Sequence, residues 1–358
     1  MPYLQIDSQK FLHNYQIILN TIAPKNHEKI AIVLKDNAYG HGLKQIAELA
    51  KRVKIQSTFV KNTYEALEII NFFHHITILY PDSLPCDSYL KAALKAPNIY
   101  FCAPSLETLQ SYPQGTKVEL KVDSGMHRNG IAKEDLNKAF SIIAKNNLNL
   151  KGIFTHIGFG DDFGSEFYTQ NMEFSNIKQE SLQLCTHYKL PKPRFHSLSS
   201  SGAFHAKDFH HRLPQDLQDD LFRIGIAFYG YLCQDSAFAM PNLQPIAALF
   251  AKRISTLNLK SGARIGYSGA SALNQESAVS TYDIGYGDGL FRLHEGMEIL
   301  SAEGFKILPR ASMDCISIES TQEEICIFND ARIFARAFNT IPYEILSHLH
   351  AYIPKIII

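Results

Sequence analysis

Lys35 is the residue of this sequence best suited to covalent chemistry, because of the segment in which it stands. The apolar, β-branched run at residues 30–34 (IAIVL) predicts a buried strand, and the two glycines of residues 35–42 (KDNAYGHG) predict a turn directly after it. A lysine at the mouth of a buried strand is partly withdrawn from water, which lowers the pKa of its amine and makes it nucleophilic. Such an amine can form a Schiff base with a carbonyl compound.

Further polar residues fall at the carboxyl ends of later predicted strands. Lys121 and Arg128 stand at and after the fifth strand, and His156 lies at the end of the sixth. Ser200 follows the seventh strand and Arg223 lies on the eighth. When strands and helices alternate in a closed barrel, the active site lies at this rim. We therefore expect these side chains to surround one site together with Lys35.

A phosphate site is expected at the same rim. The loops after the seventh and eighth strands are the usual phosphate-binding loops of this barrel. Ser200 offers a hydroxyl group there, and a main chain with glycine, as at Gly225 and Ile226, can approach a phosphate closely.

The elements that must position these residues are strands that alternate with helices. Helical spacing of apolar residues begins after Asp7 or Ser8, which can cap the first helix, and includes Phe11, Leu12, Tyr15, Ile18 and Leu19. Other helices are predicted at 63–70 and 133–145. The predicted strands are residues 30–35, 57–60, 76–80, 99–103, 117–122, 150–157, 194–199 and 221–228. Eight strand–helix units predict an α/β fold, a (β/α)₈ TIM-type barrel.

The pattern changes after about residue 230. Helical periodicity fades, and short β-rich runs at 265–267, 278–284, 306–308, 315–318 and 324–327 are separated by Gly, Ser, Asn and Asp. We therefore predict a barrel domain at residues 1–232 and a mostly β domain at 233–358.

Bulk composition excludes several classes of partner. The chain of 358 residues has 35 Lys and Arg against 35 Asp and Glu, so its charge attracts neither nucleic acid nor an anionic membrane. No apolar run approaches the roughly 20 residues of a spanning helix, and no secretory signal is visible. The cysteines at 86, 102, 185, 233, 315 and 326 form no Cys-x-x-Cys pair, which indicates reduced thiols in the cytoplasm and no metal site.

The motifs of the barrel resemble those of the alanine racemases, a family that binds pyridoxal 5′-phosphate (PLP) on a barrel. Residues 35–42 resemble the cofactor signature, which implies that Lys35 carries PLP and that Tyr39 contacts its phosphate. Residues 121–130 (KVDSGMHRNG) are similar to a second signature, which implies that Arg128 contacts the cofactor oxygen and the substrate carboxylate, and makes Lys121 a candidate for carbamylation. Three more segments match: 155–156 (TH), 196–201 (HSLSSS) and 223–230 (RIGIAFYG). They imply that His156 lines the site, that Ser200, Gly225 and Ile226 bind the phosphate, and that Arg223 faces the pyridine nitrogen.

The β domain carries three further resemblances. Residues 266–268 (GYS) resemble the segment of the family's catalytic tyrosine, Tyr267 here. Residues 285–289 (GYGDG) and 312–314 (SMD) resemble segments that contact the substrate, with Tyr286 and Met313. In the family these residues come from the other subunit, so the resemblance implies a homodimer with shared active sites.

The resemblance implies racemisation of L- and D-alanine by two bases, Lys35 on one face of the substrate and Tyr267 on the other. The product D-alanine would serve peptidoglycan synthesis in a bacterial cytoplasm. A racemase for serine, for basic amino acids or of broader specificity stays open. A PLP-dependent decarboxylase usually has an acidic partner for the pyridine nitrogen, and a non-catalytic PLP-binding protein is a single barrel. Arg223 and the β domain with Tyr267 therefore favour the racemase.

Some positions depart from the family. Asp36 stands where alanine is usual, Ser199 where asparagine is common, and Asp283 where proline is usual. Residues 158–162 (GFGDD) are also atypical. Some members have a tyrosine near the C-terminus that orients the residue equivalent to Tyr39, and the sequence leaves open whether Tyr352 takes this place.

Overall fold

The chain begins with a strand and a helix that precede the barrel. In the computed structural model, which describes residues 1–24, 26–81, 88–207 and 210–358, strand β1 (Tyr3–Ile6) leads into helix α1 (Ser8–Ile22). The carboxylate of Asp7 caps α1 by accepting hydrogen bonds from the amides of Gln9 and Lys10. Phe11, Tyr15 and Ile18 are buried as the spacing predicts, whereas Leu12 is exposed because it lies one residue off this apolar line.

Eight parallel strands form the barrel, in agreement with the sequence prediction. They are β2 (Ile30–Val33), β3 (Ser57–Val60), β4 (His75–Ile78), β5 (Ile99–Ala103), β6 (Lys117–Lys121), β7 (Asn149–Phe154), β8 (Arg194–His196) and β9 (Phe222–Ile224). Each strand pairs with the next in the chain up to β8, and β9 pairs with β2. Two backbone hydrogen bonds join the chain at β9 to the chain at β8. Arg223 N–H donates to Leu198 O at 3.0 Å, and Asp220 N–H donates to Phe195 O at 2.7 Å. The barrel is thus nearly closed, and its strand ends share one rim.

Helices lie between the barrel strands and cover them. They are α2 (Lys35–Tyr39), α3 (Leu43–Arg52), α4 (Thr63–Glu68), α5 (Ser88–Lys95), α6 (Leu106–Ser111), α7 (Leu136–Lys145), α8 (Glu166–His187) and α9 (Ser200–Ala206). Segment α2 is a single turn whose residues 36–39 have positive φ angles. The predicted helix at 133–145 starts with a 3₁₀ turn at Lys133–Asp135, and the helix predicted at 63–70 ends earlier, at Glu68.

The C-terminal part is mostly β structure, as predicted. Its strands are β10 (Ala247–Leu259), β11 (Arg264–Ile265), β12 (Ser271–Ala272), β13 (Ser277–Tyr282), β14 (Ile299–Leu300), β15 (Lys306–Leu308), β16 (Ile316–Ile318), β17 (Glu324–Phe328) and β18 (Lys355–Ile357). The main sheet has the order β14-β15-β16-β13-β10-β1-β18, and β17 also pairs with β10. Strand β1 therefore belongs to this sheet, although it precedes the barrel in the chain.

The prediction missed several elements of this part. Strand β10 has 13 residues but no sustained alternation, because only its first half has one buried face. Helices α10 (Ala331–Ala337) and α11 (Pro342–His348) have seven residues each, too few for a clear helical period. The strand predicted at 265–267 is wrong at its end: β11 stops at Ile265, and Tyr267 lies in a 3₁₀ turn.

Two observations concern the bulk predictions. Of the described cysteines, Cys102, Cys185, Cys233, Cys315 and Cys326 carry free thiols, while Cys86 lies outside the described residues. Across the described ranges no helix is long and apolar enough to cross a membrane.

Candidate active site at the carboxyl rim of the barrel

A cavity of about 390 Å³ opens at the carboxyl ends of the barrel strands. It brings together nine residues that the sequence predicts for the site. They are Lys35, Tyr39, Lys121, Arg128, His156, Ser200, Arg223, Gly225 and Ile226. Eight of these residues were expected at the rim from the barrel fold, and the ninth, Tyr39, from the family resemblance.

Lys35 stands two residues beyond β2, against an apolar wall. Val33, Phe59 and Phe154 contribute to this wall. Burial lowers the pKa of the Lys35 amine and the nearby Arg128 lowers it further, although Asp36 acts in the opposite direction. The side chain can therefore serve as a nucleophile or a base in the cavity.

A left-handed turn follows Lys35 and sets its direction. Asp36, Asn37, Ala38 and Tyr39 all have φ of 53–54°. Left-handed helical backbone costs about 1–2 kcal/mol per residue for L-amino acids, least for Asp and Asn. Glu65 on α4 stabilises this turn. Its carboxylate accepts a hydrogen bond from Asn37 N–H at 2.9 Å and another from Lys61 N–H, just after β3, at 2.7 Å.

A surface ion pair supports the same turn. The Lys61 amine lies 2.6 Å from a carboxylate oxygen of Asp36, the residue that departs from the family pattern. Both side chains are partly exposed, so this pair contributes little by itself.

Arg223 is anchored by three of the five N–H donors of its guanidinium. Its Nη1 lies 2.7 Å from His196 Nδ1, and its Nη2 donates to Thr155 O at 2.7 Å and to Ser197 O at 3.0 Å. The Nε–H and the second Nη1–H have no partner among the described residues, and the residue lines the cavity. Burial lowers the pKa of this guanidinium to about 10, so it remains a cation that donates hydrogen bonds at neutral pH.

His156 and Lys121 lie near the guanidinium groups of Arg223 and Arg128. Burial and the charges of Arg223, Arg128 and Lys121 lower the pKa of His156 to about 3, so its imidazole is neutral at physiological pH. Burial, opposed by Cys102 and aided by Arg128, lowers the pKa of Lys121 to about 8. The Lys121 amine donates to the side-chain oxygen of Asn129.

A small cradle lies between Ser200, Gly225 and Tyr39. The Ser200 hydroxyl oxygen accepts hydrogen bonds from the amides of Gly225 at 3.1 Å and Ala227 at 3.4 Å. A Cβ on Gly225 would lie 2.5 Å from the Tyr39 hydroxyl oxygen, so a side chain there would fill the cradle. The hydroxyl groups of Ser200 and Tyr39 thus converge where the main chain can approach a bound group.

A buried ion pair holds the segment that leads into Ser200. The Lys178 amine lies 2.6 Å from Asp219 Oδ1, and both side chains are almost completely buried. Asp219 Oδ2 accepts hydrogen bonds from Ser197 N–H and Oγ–H at 2.7 Å and from Leu198 N–H at 3.3 Å. Burial opposes ionisation, but Lys178 outweighs it and lowers the pKa of Asp219 to about 2.

Sequence reasoning missed Tyr343 in the cavity. Its ring centroid lies 5.8 Å from that of Tyr39, and it lines the cavity, whereas Tyr352 is 81% exposed. The tyrosine of the C-terminal part that packs near Tyr39 in this chain is thus Tyr343, and Tyr352 does not line the cavity. A signal was present in the sequence, because residues 341–346 (IPYEIL) also resemble a C-terminal segment of the alanine racemases.

A second omission is a row of polar residues inside the barrel. Glu119 on β6 is fully buried between Arg194 and His196 of β8, and His196 in turn contacts Arg223. Alternation along β6 predicts only that Glu119 points opposite to its neighbours. A sequence does not reveal that a charged residue of one strand meets another strand inside a barrel.

Tyr267, Tyr286 and Met313 do not line this cavity. Their exposed fractions are 60%, 38% and 55%. Hydrogen bonds from Tyr286 N–H to Ser312 O and from Gly287 N–H to Met313 O, at 3.1 and 2.8 Å, join two of the three segments. The residues are presented outward, away from the cavity of their own chain.

Family models match almost the whole chain. Residues 6–233 match the model "Alanine racemase, N-terminal domain", and residues 246–357 match "Alanine racemase, C-terminal domain". The chain is 41% identical over 357 residues to the alanine racemase of a Nitratiruptor species, covering 99% of both chains. It is 35% identical over 355 residues to the alanine racemase of Campylobacter concisus, again covering 99% of both.

Solved structures of the same name share the fold. The alanine racemase of Clostridium difficile 630 superposes with a TM-score of 0.85 at 24% identity, covering 100% of this chain and 95% of that chain. The alanine racemase of Bacillus anthracis, solved with bound L-Ala-P, superposes with a TM-score of 0.82 at 22% identity and the same coverage. At these identities the two structures support the fold alone.

Proposed function

The chain belongs to the alanine racemase family, and we propose that it interconverts L- and D-alanine with PLP as its cofactor. The observation that carries the proposal is the joint position of Lys35 and Arg223 in one cavity. Lys35 has a lowered amine pKa, and Arg223, which lines the same cavity, keeps two N–H donors, Nε–H among them, without a partner among the described residues. A donor-only cation and a reactive amine suit a racemase better than a decarboxylase.

The residues of the cavity fit PLP. Lys35 would hold the cofactor through its amine, and Arg223 Nε–H would donate to the ring nitrogen. The hydroxyl groups of Ser200 and Tyr39, with the main chain at Gly225, would hold the phosphate in the cradle that a Cβ would fill. The main chain of Ile226 borders the same cradle.

The protein's own residues would then move the Cα proton. Bound PLP supplies a ring that takes up the negative charge left when this proton is removed from the substrate. Lys35 serves as the base on one face, and Tyr267 of the partner subunit serves on the other. Arg128, which lines the cavity and is exposed to solvent, would bind the substrate carboxylate.

Arg223 limits side reactions in this proposal. Because a guanidinium donates a hydrogen bond but does not give up its proton at neutral pH, Arg223 would leave the ring nitrogen of bound PLP unprotonated, and the ring would then withdraw electrons weakly. Transamination requires that the proton return to an atom other than Cα. A ring that withdraws electrons weakly would disfavour this side reaction.

A homodimer with shared active sites completes the proposal. Tyr267, Tyr286 and Met313 are exposed on their own chain, which supports their insertion into the cavity of a second copy. Mixing Lys35→Ala chains with Tyr267→Phe chains tests this arrangement. After random exchange about a quarter of the sites would hold both native residues, so activity should return to about a quarter of the native value. No recovery after demonstrated exchange would contradict sharing.

We also propose that Lys121 is carbamylated. Its lowered pKa, about 8, leaves part of the amine neutral at physiological pH, and the neutral amine adds to CO₂. The resulting anion would hold Arg128 nearby. ¹³CO₂ labelling with NMR should give a carbamate signal that a Lys121→Ala variant lacks, and an unlabelled native protein would refute the modification.

The biological setting stays part of the proposal. D-alanine would be supplied for peptidoglycan in the bacterial cytoplasm, and residue 232 would divide the barrel domain from the β domain. Relatives that carry the alanine racemase name come from bacteria, which supports the setting.

Two measurements test the function. Borohydride reduction and peptide mapping should find the cofactor on Lys35, with no label in a Lys35→Ala variant. Chiral chromatography should then find both enantiomers after incubation with either L- or D-alanine. Preference for serine or a basic amino acid would keep the mechanism and change the substrate, whereas CO₂ release would favour the decarboxylase.

A further inference from the structure

A buried carboxylate lies deeper in the barrel than the proposed active site. Glu119 is fully buried, in an interior that apolar branched side chains usually fill. A buried charge is costly unless charged and hydrogen-bonding partners compensate it. Arg194 supplies the compensation at one oxygen, with Nε donating to Oε1 at 2.6 Å.

The other oxygen of Glu119 faces His196. Glu119 Oε2 and His196 Nε2 are 3.3 Å apart, close enough for an ion pair, and neither buried atom has a hydrogen-bond partner among the described residues. The opposite ring nitrogen, Nδ1, lies 2.7 Å from Arg223 Nη1. Because a guanidinium only donates, Nδ1 must accept, and the proton of a neutral imidazole must then lie on Nε2, toward Glu119.

The neighbouring strand leaves room for this arrangement. Gly152 lies on β7 beside Glu119, and a Cβ at residue 152 would stand 2.9 Å from Glu119 Oε1. Glycine inside a strand often marks a close approach by another group. The carboxylate thus occupies space that any other residue at 152 would take.

We propose that Glu119 is a positioning residue of the active site, which fixes His196 in the Nε2–H tautomer and thereby holds Arg223 with its Nε–H toward the cavity. The effect of Arg223 on a bound cofactor ring rests on the proposed function, whereas the tautomer of His196 does not depend on it. The pKa values of the two residues agree with an ionised Glu119 beside a neutral His196. Burial opposes ionisation of Glu119, but Arg194 and His196 lower its pKa to about 2, while burial lowers the pKa of His196 to about 4.

Glu119→Gln creates a conflict that the native residue avoids. Arg194 donates to one oxygen, so the amide oxygen must face Arg194 and the amide NH₂ must face His196. His196 Nε2 would then have to accept, and its proton would move to Nδ1, against a guanidinium that also donates. Either the tautomer changes or Arg223 shifts.

The experiment is ¹⁵N NMR of selectively labelled histidines in the PLP-bound protein, with the His196 signals assigned by a His196→Gln variant. The native protein should contain the neutral Nε2–H form, and Glu119→Gln should lose it as the single form. An Nδ1–H or imidazolium form in the native protein, or an unchanged tautomer in the variant, would overturn the proposal. The native measurement decides even if the variant fails to fold.

Cofactor affinity provides the second readout. Glu119→Gln should raise the Kd for PLP about ten-fold, which corresponds to about 1.4 kcal/mol. Thr77→Val is the matched control, because Thr77 accepts from Arg194, at 3.2 Å, without touching His196, and should leave Kd and tautomer unchanged. Adding Glu119→Gln to His196→Gln should change Kd by less than about two-fold if Glu119 acts through His196. If Glu119→Gln raised the Kd as much in the His196→Gln background as in the native protein, Glu119 would not act through His196. If the native protein had the expected His196 tautomer but no racemase activity, only the proposed function would be refuted.

Discussion

Replacing Glu65 with alanine should loosen the left-handed turn that carries Lys35 into the cavity. The turn holds four residues at positive φ, a cost of roughly 4–8 kcal/mol in total. Glu65 offsets part of it by accepting a hydrogen bond from Asn37 N–H at 2.9 Å, while a second bond, from Lys61 N–H at 2.7 Å, ties the same carboxylate to the end of β3. Hydrogen bonds to charged groups contribute about 1.5–3 kcal/mol each, and the lower value applies because Glu65 is half-buried.

The two bonds together therefore contribute about 3 kcal/mol, or about 100-fold in an equilibrium constant. The bond to Asn37 alone corresponds to about ten-fold and both bonds to about 100-fold, so the Kd for PLP should rise by about 10- to 100-fold in Glu65→Ala. Glu65→Gln keeps one acceptor oxygen, so its Kd should rise about ten-fold at most.

Fluorescence titration of the cofactor-free protein with PLP measures this effect, and thermal unfolding reports any general loss of stability. Glu68→Ala is the matched control, because Glu68 lies on the same helix, is exposed and forms an ion pair with Lys44 at 3.5 Å. An unchanged PLP Kd in Glu65→Ala, in a protein that unfolds at a normal temperature, would refute the role of Glu65 in holding the turn.

Four further predictions concern the reaction and the fold. Tyr267→Phe should slow α-proton exchange from one enantiomer by about 10²-fold more than from the other, and equal losses would count against two bases. Arg223→Glu should increase the pyridoxamine phosphate formed per turnover, measured by absorbance; an unchanged ratio would remove the electronic role of the guanidinium. Gly225→Ala should raise the PLP Kd at least about ten-fold, because its Cβ would lie 2.5 Å from a hydroxyl oxygen of the cavity. Burial opposes ionisation of Glu119 and Asp219, but their cationic partners lower both pKa values to about 2, so the stability they contribute is complete above their unfolded values, about 4.5 and 3.8, and is lost as pH falls toward 2. Urea midpoints between pH 5 and pH 2.5 should therefore fall, and a flat profile would contradict these assignments.

The barrel and its rim could be predicted because both depend on local patterns. Apolar runs with turn residues after them identify strands, and the fold rule then brings their carboxyl ends together. This is why Lys35, Arg128 and Arg223, far apart in sequence, were expected in one cavity, which they line. Their chemical roles remain proposals.

The parts that were missed depend on contacts between distant strands. Glu119 is a charged residue in a strand, and only the closed barrel brings it against Arg194 and His196. Strand β1 joins the C-terminal sheet through pairing with β10 and β18, which no local pattern of residues 3–6 indicates. A turn after Lys35 was predicted, but its left-handed backbone at residues 36–39 was not, because only one of these four residues is a glycine or an asparagine.

The central claim is tested most directly by α-proton exchange in D₂O, followed by NMR for a panel of L-amino acids with chiral analysis of the products. Alanine should exchange its α-proton and reach equal amounts of the L and D forms. Rapid exchange with serine, lysine or arginine in preference to alanine would move the substrate while keeping the chemistry. Absence of exchange with every amino acid, although borohydride traps PLP on Lys35, would contradict catalysis and leave a protein that only binds the cofactor.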